Sequence, residues 1–206
     1  MIKMISGLAL SALISGNALA NDANLVQEDG SDISFSAFMG YSVGGEKLVE
    51  INYEDSSDQS IKTGKGLSFG FGLNYSISEK WSLATNLSYF SDSDNAENLD
   101  AEISRFVLDA IPYYQLNEKF KIGLGLTYHL SPELEVESSK LEFDSALGSV
   151  VSIGYELESY NSMIEVRYVS NSYDYNEKVY LGYGSYGSYK GTVDANQFGV
   201  FWHYQF

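Results

Sequence analysis

The sequence predicts an all-β fold, an eight-stranded antiparallel up-and-down barrel of the transmembrane kind, on three observations. Apolar residues alternate with small or polar ones over about ten residues, and this recurs eight times along the chain. The connections between those segments alternate between short and long. The chain opens with a secretory leader pattern, and no later segment approaches the ~18 consecutive apolar residues that a membrane helix requires. If such a chain crosses a bilayer, it does so with strands.

The leader comes first. Lys3 supplies a positive charge, Met4 to Leu19 are apolar or small, and Ala18-Leu19-Ala20 has the A-x-A form of a cleavage site. Cleavage after Ala20 makes residues 1–20 a signal peptide and 21–206 one barrel domain. Ser6, Gly7, Ser11, Ser15, Gly16 and Asn17 dilute the stretch too much for an uncleaved anchor.

The first strand puts Ile33, Phe35, Ala37, Met39 and Tyr41 on one face and Ser34, Ser36, Gly40 and Ser42 on the other. The second alternates Leu67, Phe69, Phe71, Leu73, Tyr75 and Ile77 with Ser68, Gly70, Gly72, Asn74 and Ser76. After the turn at 78–80, the third sets Trp81, Leu83, Thr85, Leu87 and Tyr89 against Ser82, Ala84, Asn86 and Ser88. In the fourth, Phe106, Leu108, Ala110 and Tyr114 face outward and Arg105 and Asp109 inward. Pro112 lacks a ladder donor there, which predicts the strand's lower end or a bulge.

The fifth strand is regular, with Phe120, Ile122, Leu124, Leu126, Tyr128 and Leu130 alternating with Lys121, Gly123, Gly125, Thr127 and His129. The sixth turns Leu147, Val151, Ile153, Tyr155 and Leu157 outward. The short seventh has Ile164, Val166 and Tyr168 outward and Glu165 and Arg167 inward. The eighth carries Phe198, Val200, Trp202, Tyr204 and Phe206 opposite Gln197, Gly199, His203 and Gln205.

Connections after strands two, four and six are short, and those after one, three, five and seven are long and acidic, which predicts extracellular loops on one side. A water-soluble β-sandwich would also alternate, but its second face would be strongly charged rather than Gly, Ser, Ala and Asn. Within the first long loop, Lys47 to Tyr53 alternates again and can pair with Ser60 to Thr63 across a turn from Asp55 to Gln59, extending the first hairpin beyond the membrane. The alternative reading of those segments is a ten-stranded barrel.

The formal net charge is −16, or −17 once Lys3 is removed, which argues against nucleic acid as a partner. There is no cysteine, so the fold rests on packing and backbone pairing without disulfides. Expected surroundings are outer-membrane lipid and lipopolysaccharide, with the cell outer membrane as location and the monomer as the unit. No cofactor or metal is expected: His129 and His203 fall at opposite ends of the barrel, without the Cys or clustered His of a zinc site. Asp92-Ser93-Asp94 begins like a calcium loop but lacks its Gly and closing Glu, so the acidic loops are read as solvated.

The barrel interior carries the candidate site. Counting up from the periplasmic end places Asn86, Asp109 and Arg167 at one level, with Lys121 and Glu165 lower and Arg105 at the top of its strand. An eight-stranded barrel is just wide enough to be filled by its side chains, and a confined charge is costly unless paired. These six residues are therefore expected to form an ion-pair and hydrogen-bond plug, with a gated solute path as the alternative. In the last loop Tyr173, Tyr175, Tyr180, Tyr183, Tyr186 and Tyr189 with Gly suggest a hairpin extension, or else a contact surface.

Phe198, Val200, Trp202, Tyr204 and terminal Phe206 resemble the C-terminal strand that outer-membrane proteins present to the barrel-assembly machinery. From Ile33 to Phe206 the chain looks like the small-barrel group of the OmpA transmembrane domain, OmpX and the opacity proteins. That resemblance implies location and assembly route, not activity. His129-Leu130-Ser131 with Glu142 is similar to the lipid A deacylase pattern, but Pro132 departs from it. The expected function is a structural or cell-surface interaction role through the long acidic loops, without catalysis. The alternatives are a narrow porin and a lipid A-modifying enzyme, which needs His129 and Ser131 exposed together at the lipid boundary.

Overall fold

A computed structural model describes residues 33–51, 59–96, 99–137, 139–182 and 185–206. The signal peptide expected at 1–20 lies outside them, as does most of the turn expected at 55–59. Thirteen strands occur among the described residues: β1 (Ile33–Gly44), β2 (Lys47–Ile51), β3 (Gln59–Lys62), β4 (Gly66–Ser76), β5 (Trp81–Ala96), β6 (Leu99–Gln115), β7 (Phe120–Val136), β8 (Ser139–Glu142), β9 (Ala146–Leu157), β10 (Ser162–Ser170), β11 (Ser172–Gly182), β12 (Ser185–Asp194) and β13 (Gln197–Gln205).

Eight of them close an antiparallel barrel in the order β1, β4, β5, β6, β7, β9, β10, β13, with β13 pairing back onto β1. Each contains one of the eight segments read from the sequence. Closure leaves no sheet edge inside a bilayer, where an unpaired backbone group would cost several kcal/mol, of order the water-to-hydrocarbon penalty. The pairs starting at Ser42 reach Ile103 on β6 by one way round and Tyr113 of the same strand by the other. This offset is the shear that tilts the strands.

The barrel's outer face is a belt of large apolar side chains, among them Phe71, Leu124, Ile153 and Val200. Aromatic pairs rim it at two levels. Tyr89–Phe106 and Tyr168–Phe198 stand at the extracellular edge, with centroids 5.3 and 4.7 Å apart. Trp81–Tyr114 and Phe120–Tyr155, both at 5.0 Å, stand at the periplasmic edge. Tyr and Trp rings sit at the headgroup level of a membrane, so the two girdles bracket the hydrocarbon.

Above the upper girdle the polarity inverts. The upper parts of β5 to β7, together with β8 and the hairpins β2–β3 and β11–β12, form a crown with an apolar inside. Its core is Ile61, Phe90, Ala101, Ile103, Leu134, Phe143, Tyr173 and Ala195, all buried. The hairpins are tied in by backbone hydrogen bonds, Asp144 N to Asp174 O and Glu46 N to Asp194 O, each 2.8 Å. Outside, Glu102 lies directly opposite Glu135, and Lys140 bridges Glu133 and Glu142. Hydrogen bonding to Glu133 holds the Lys140 ammonium above the usual lysine value.

A single bulge on β7 lets that strand serve both environments. Below it the even-numbered residues Ile122 to Tyr128 face lipid. Above it Glu135 points outward and Leu134 inward. The register slips between the pairs Phe106–Leu130 and Ser104–Glu133, where Ser131 takes φ 40°. One extra residue exchanges the two faces of a strand.

Two expectations are corrected. β2 and β3 pair with each other as a separate two-stranded sheet in the crown, so the ten-stranded alternative does not arise. Pro112 marks neither a strand end nor a bulge: β6 continues to Gln115, and its register against β7 is the same on both sides of the proline. Its ring faces outward, and the ladder gives up one donor there.

Candidate functional site: the barrel interior

Alternation along each strand sends every second side chain inward, and the inward polar residues collect in three tiers. The middle tier is built around Glu165 on β10, completely buried. Two residues along the same strand, Arg167 donates from Nε and Nη2 to the two Glu165 oxygens at 3.2 and 2.7 Å. Its remaining arm, Nη1, crosses the lumen to Asp109 Oδ2 on β6 at 2.8 Å. Tyr113 donates its hydroxyl to Glu165 at 2.7 Å and accepts one from Ser152 at 3.1 Å. His203 Nε2 lies 2.8 Å from Glu165 Oε2.

The guanidinium of Arg167 also stacks 4.2 Å from the Phe201 ring, and Phe38 stacks on His203 at 4.8 Å. Gly40 makes room for this packing, since a Cβ there would fall 2.2 Å from a Phe201 ring carbon. The tier is thus closed on all sides by rings and ion pairs. Two carboxylates share one guanidinium, and burial makes each of these charge-assisted bonds stronger than its counterpart in water.

The lower tier is Lys121, whose ammonium sits 2.7 Å from Glu156 and 4.9 Å from the Tyr113 ring. The upper tier, level with the outer aromatic girdle, is Arg105. It donates to Thr63 O at 2.7 Å and to Gln197 Oε1 at 2.8 Å, and lies 3.5 Å from the centre of the Phe90 ring. Thr63 lies in the connection from the crown hairpin β2–β3 to β4 and Gln197 opens barrel strand β13, so Arg105 fastens the crown onto the barrel. Tyr173 closes the arrangement from above: its hydroxyl meets His129 Nδ1, and burial pushes its phenol up to about 12.

All six residues expected in the lumen network are buried. The structure brings Asp109, Glu165 and Arg167 into one cluster. Asn86 pairs with Asp109 across β5 and β6, whereas Arg105 and Lys121 stand in separate tiers above and below. Sequence reasoning passed over Tyr113, Ser152 and His203 as members, although each falls on the inward phase of its strand. The expected network was drawn from charged side chains and one amide, so the hydroxyls of Tyr113 and Ser152 and the His203 ring fell outside it. Phe38, Phe201 and Ile111 also fill a lumen expected to hold mostly small side chains.

The serine, histidine and carboxylate of the lipid A deacylase-like pattern do not meet. His129 is wholly buried against Tyr173, while Ser131 is exposed at the bulge and its backbone N–H donates to Ser145 Oγ at 3.0 Å. Glu142 lies beside Lys140 at 3.5 Å. The enzyme alternative needed His129 and Ser131 exposed together, and that condition fails.

No family model and no curated protein matches this sequence. The fold does have solved counterparts. The crystal structure of Neisserial surface protein A superposes with a TM-score of 0.50 at 14% identity, covering 86% of this chain and 100% of that one. The outer membrane protein OprG from Pseudomonas aeruginosa gives 0.51 at 16%, covering 87% and 97%. Ail, the attachment invasion locus protein of Yersinia pestis, gives 0.47 at 13%, covering 87% and 100%. The first two superpositions give the chain the fold of the small eight-stranded outer-membrane β-barrels. With its apolar belt and paired aromatic girdles it is an outer-membrane barrel.

Proposed function

We propose that this protein is a sealed barrel whose work is done by its extracellular crown, in a structural or cell-surface interaction role, and that it catalyses no reaction. The observation that carries this reading is the double closure of the interior. The Arg167–Glu165–Asp109 tier fills the barrel within the membrane, and the apolar core around Ile103, Phe143 and Tyr173 fills its mouth. A porin needs a continuous water-filled path, and a hydrophobic core of buried side chains excludes water. The crown's acidic exterior, with Glu102, Glu135 and Glu133 on adjacent strands, is the surface offered to a partner. Lipopolysaccharide around the belt and a monomeric state fit the same reading. The outward row Phe198, Val200, Trp202, Tyr204 and Phe206 supports recognition of β13 by the barrel-assembly machinery, after removal of residues 1–20.

Single-channel recording of the refolded barrel in planar bilayers tests this. The wild-type protein, with insertion verified, is expected to stay silent. Steady openings that change in Asp109→Ala or Arg167→Ala would overturn the sealed reading and favour a narrow porin.

A further inference from the structure

We propose that the upper lumen binds a small monovalent inorganic anion of the halide class, with Arg105 as its cationic ligand. The three lumen cations are treated differently by the fold. Arg167 has two carboxylates and Lys121 has one, each within 3 Å. Arg105, only 2% exposed, has none among the described residues within ion-pair distance. Its oxygens come from Thr63 and Gln197, and its faces from Phe90 at 3.5 Å and Tyr173 at 5.7 Å. Carbonyl dipoles and ring faces lower the cost of burying a guanidinium but contribute no opposite charge.

Arg105 Nε is not alone at this level in lacking a partner. Arg105 Nε is buried without a hydrogen-bond partner, and so are Ser42 Oγ, Thr127 Oγ1 and His129 Nε2. Following the strand pairs around the barrel, and allowing for its shear, these four residues project into the lumen within about three residues' rise of one another. They lie on three strands, between the Arg167 tier and the crown core. Water would satisfy the hydroxyls and the ring nitrogen but not the charge. A halide satisfies both, because a guanidinium edge and hydroxyl groups all donate to it.

The groups facing Arg105 leave little else to balance it. His129 is engaged at Nδ1 by Tyr173. Asp109, four residues below on β6, is taken by Arg167. Asp92, opposite Ile103, is the adjacent carboxylate by register and lies 3.6 Å from Lys65. Asp92 is the rival counter-charge, and the test is arranged to expose it.

The refolded full barrel in nonionic detergent would be unfolded in urea at constant ionic strength, with chloride exchanged for gluconate, which is too bulky for the interior. Chloride at ten times its dissociation constant is expected to lower the unfolding equilibrium constant about tenfold. Arg105→Met should lose that salt preference, and Asp92→Asn should keep it. Crystals of the wild-type barrel grown in bromide should show an anomalous peak within hydrogen-bond distance of Arg105 Nε, a readout that needs no variant to fold. Equal stability in the two salts with no bromide peak would overturn the proposal. So would a chloride preference that disappears in Asp92→Asn but survives in Arg105→Met.

Discussion

Arg167 on β10 reaches across the lumen to Asp109 on β6, Nη1 to Oδ2 at 2.8 Å, while its other arm stays on Glu165 two residues away. One guanidinium therefore answers two buried carboxylates on opposite sides of the barrel. Removing it takes the guanidinium from both and leaves Glu165 with only Tyr113 and His203, and breaking a buried pair from one side costs about 3–5 kcal/mol. Arg167→Met is expected to destabilise the barrel by about that much in urea unfolding from detergent micelles. Adding Asp109→Leu and Glu165→Leu should recover most of the loss, since the charges go together. A triple variant no more stable than Arg167→Met would mean that the tier is held by packing on Phe201 rather than by charge.

The bulge at Ser131 makes a prediction about the crown alone. Deleting Ser131 removes the extra residue and joins outward Leu130 to Pro132, so a single alternation then sends Leu134 inward and Glu133 and Glu135 outward, the faces they already hold. The crown core keeps Leu134, and the lipid-facing residues from Phe120 to Tyr128 keep their places. The deletion variant is expected to retain the heat-modifiable gel mobility of a folded barrel and the wild-type protease resistance of the crown. Cleavage above the upper girdle in this variant would show that the extra residue does more than set the phase.

Alkaline pH should loosen the crown before the membrane barrel. Burial raises the Tyr173 phenol from its ordinary value near 10 to about 12. An exposed tyrosine ionises first, so the contribution of buried, neutral Tyr173 is complete below pH 10 and is lost as pH rises towards 12. Protease susceptibility of the crown, followed between pH 9 and about 11.5, should rise in wild type. In Tyr173→Phe it should start higher, because the His129 contact is lost, and vary less with pH.

The eight membrane strands were legible because lipid on one side and packed side chains on the other impose a two-residue period that nothing else in the sequence contradicts. The hairpin of Lys47 to Ile51 with Gln59 to Lys62 was legible for the same reason. The continuation of β5, β6 and β7 into the crown was not. There the outward residues become Ser93, Glu102 and Glu135, so a reader tracking outward apolar residues sees the strand stop where only its surroundings change. On β7 the bulge also reverses the phase, which no local residue announces except Ser131-Pro132.

The interior was read halfway. Asp109 and Arg167 could be placed at one height by counting, because strand geometry fixes rise per residue. Which charge pairs with which depends on shear and side-chain reach. Arg105 accordingly looked like a member of the same network, yet it answers to Thr63 below the crown hairpin and to Gln197 at the top of β13. His203 was visible as an inward residue of the last strand, but its partner Glu165 lies on a neighbouring strand whose register the sequence does not state.

The absence of cysteine from the chain allows the most direct test of a sealed interior. Single variants Ser88→Cys and Ser152→Cys place a thiol on inward positions that are buried, and Ser93→Cys places one on the crown's exposed face. Each refolded barrel would be exposed to a small, charged thiosulfonate reagent in detergent and in liposomes. The sealed barrel predicts rapid labelling at position 93 and none at 88 or 152 until the protein is unfolded. Labelling of either lumen thiol in the folded protein, at a rate near that of position 93, would show a water path through the barrel and contradict the account.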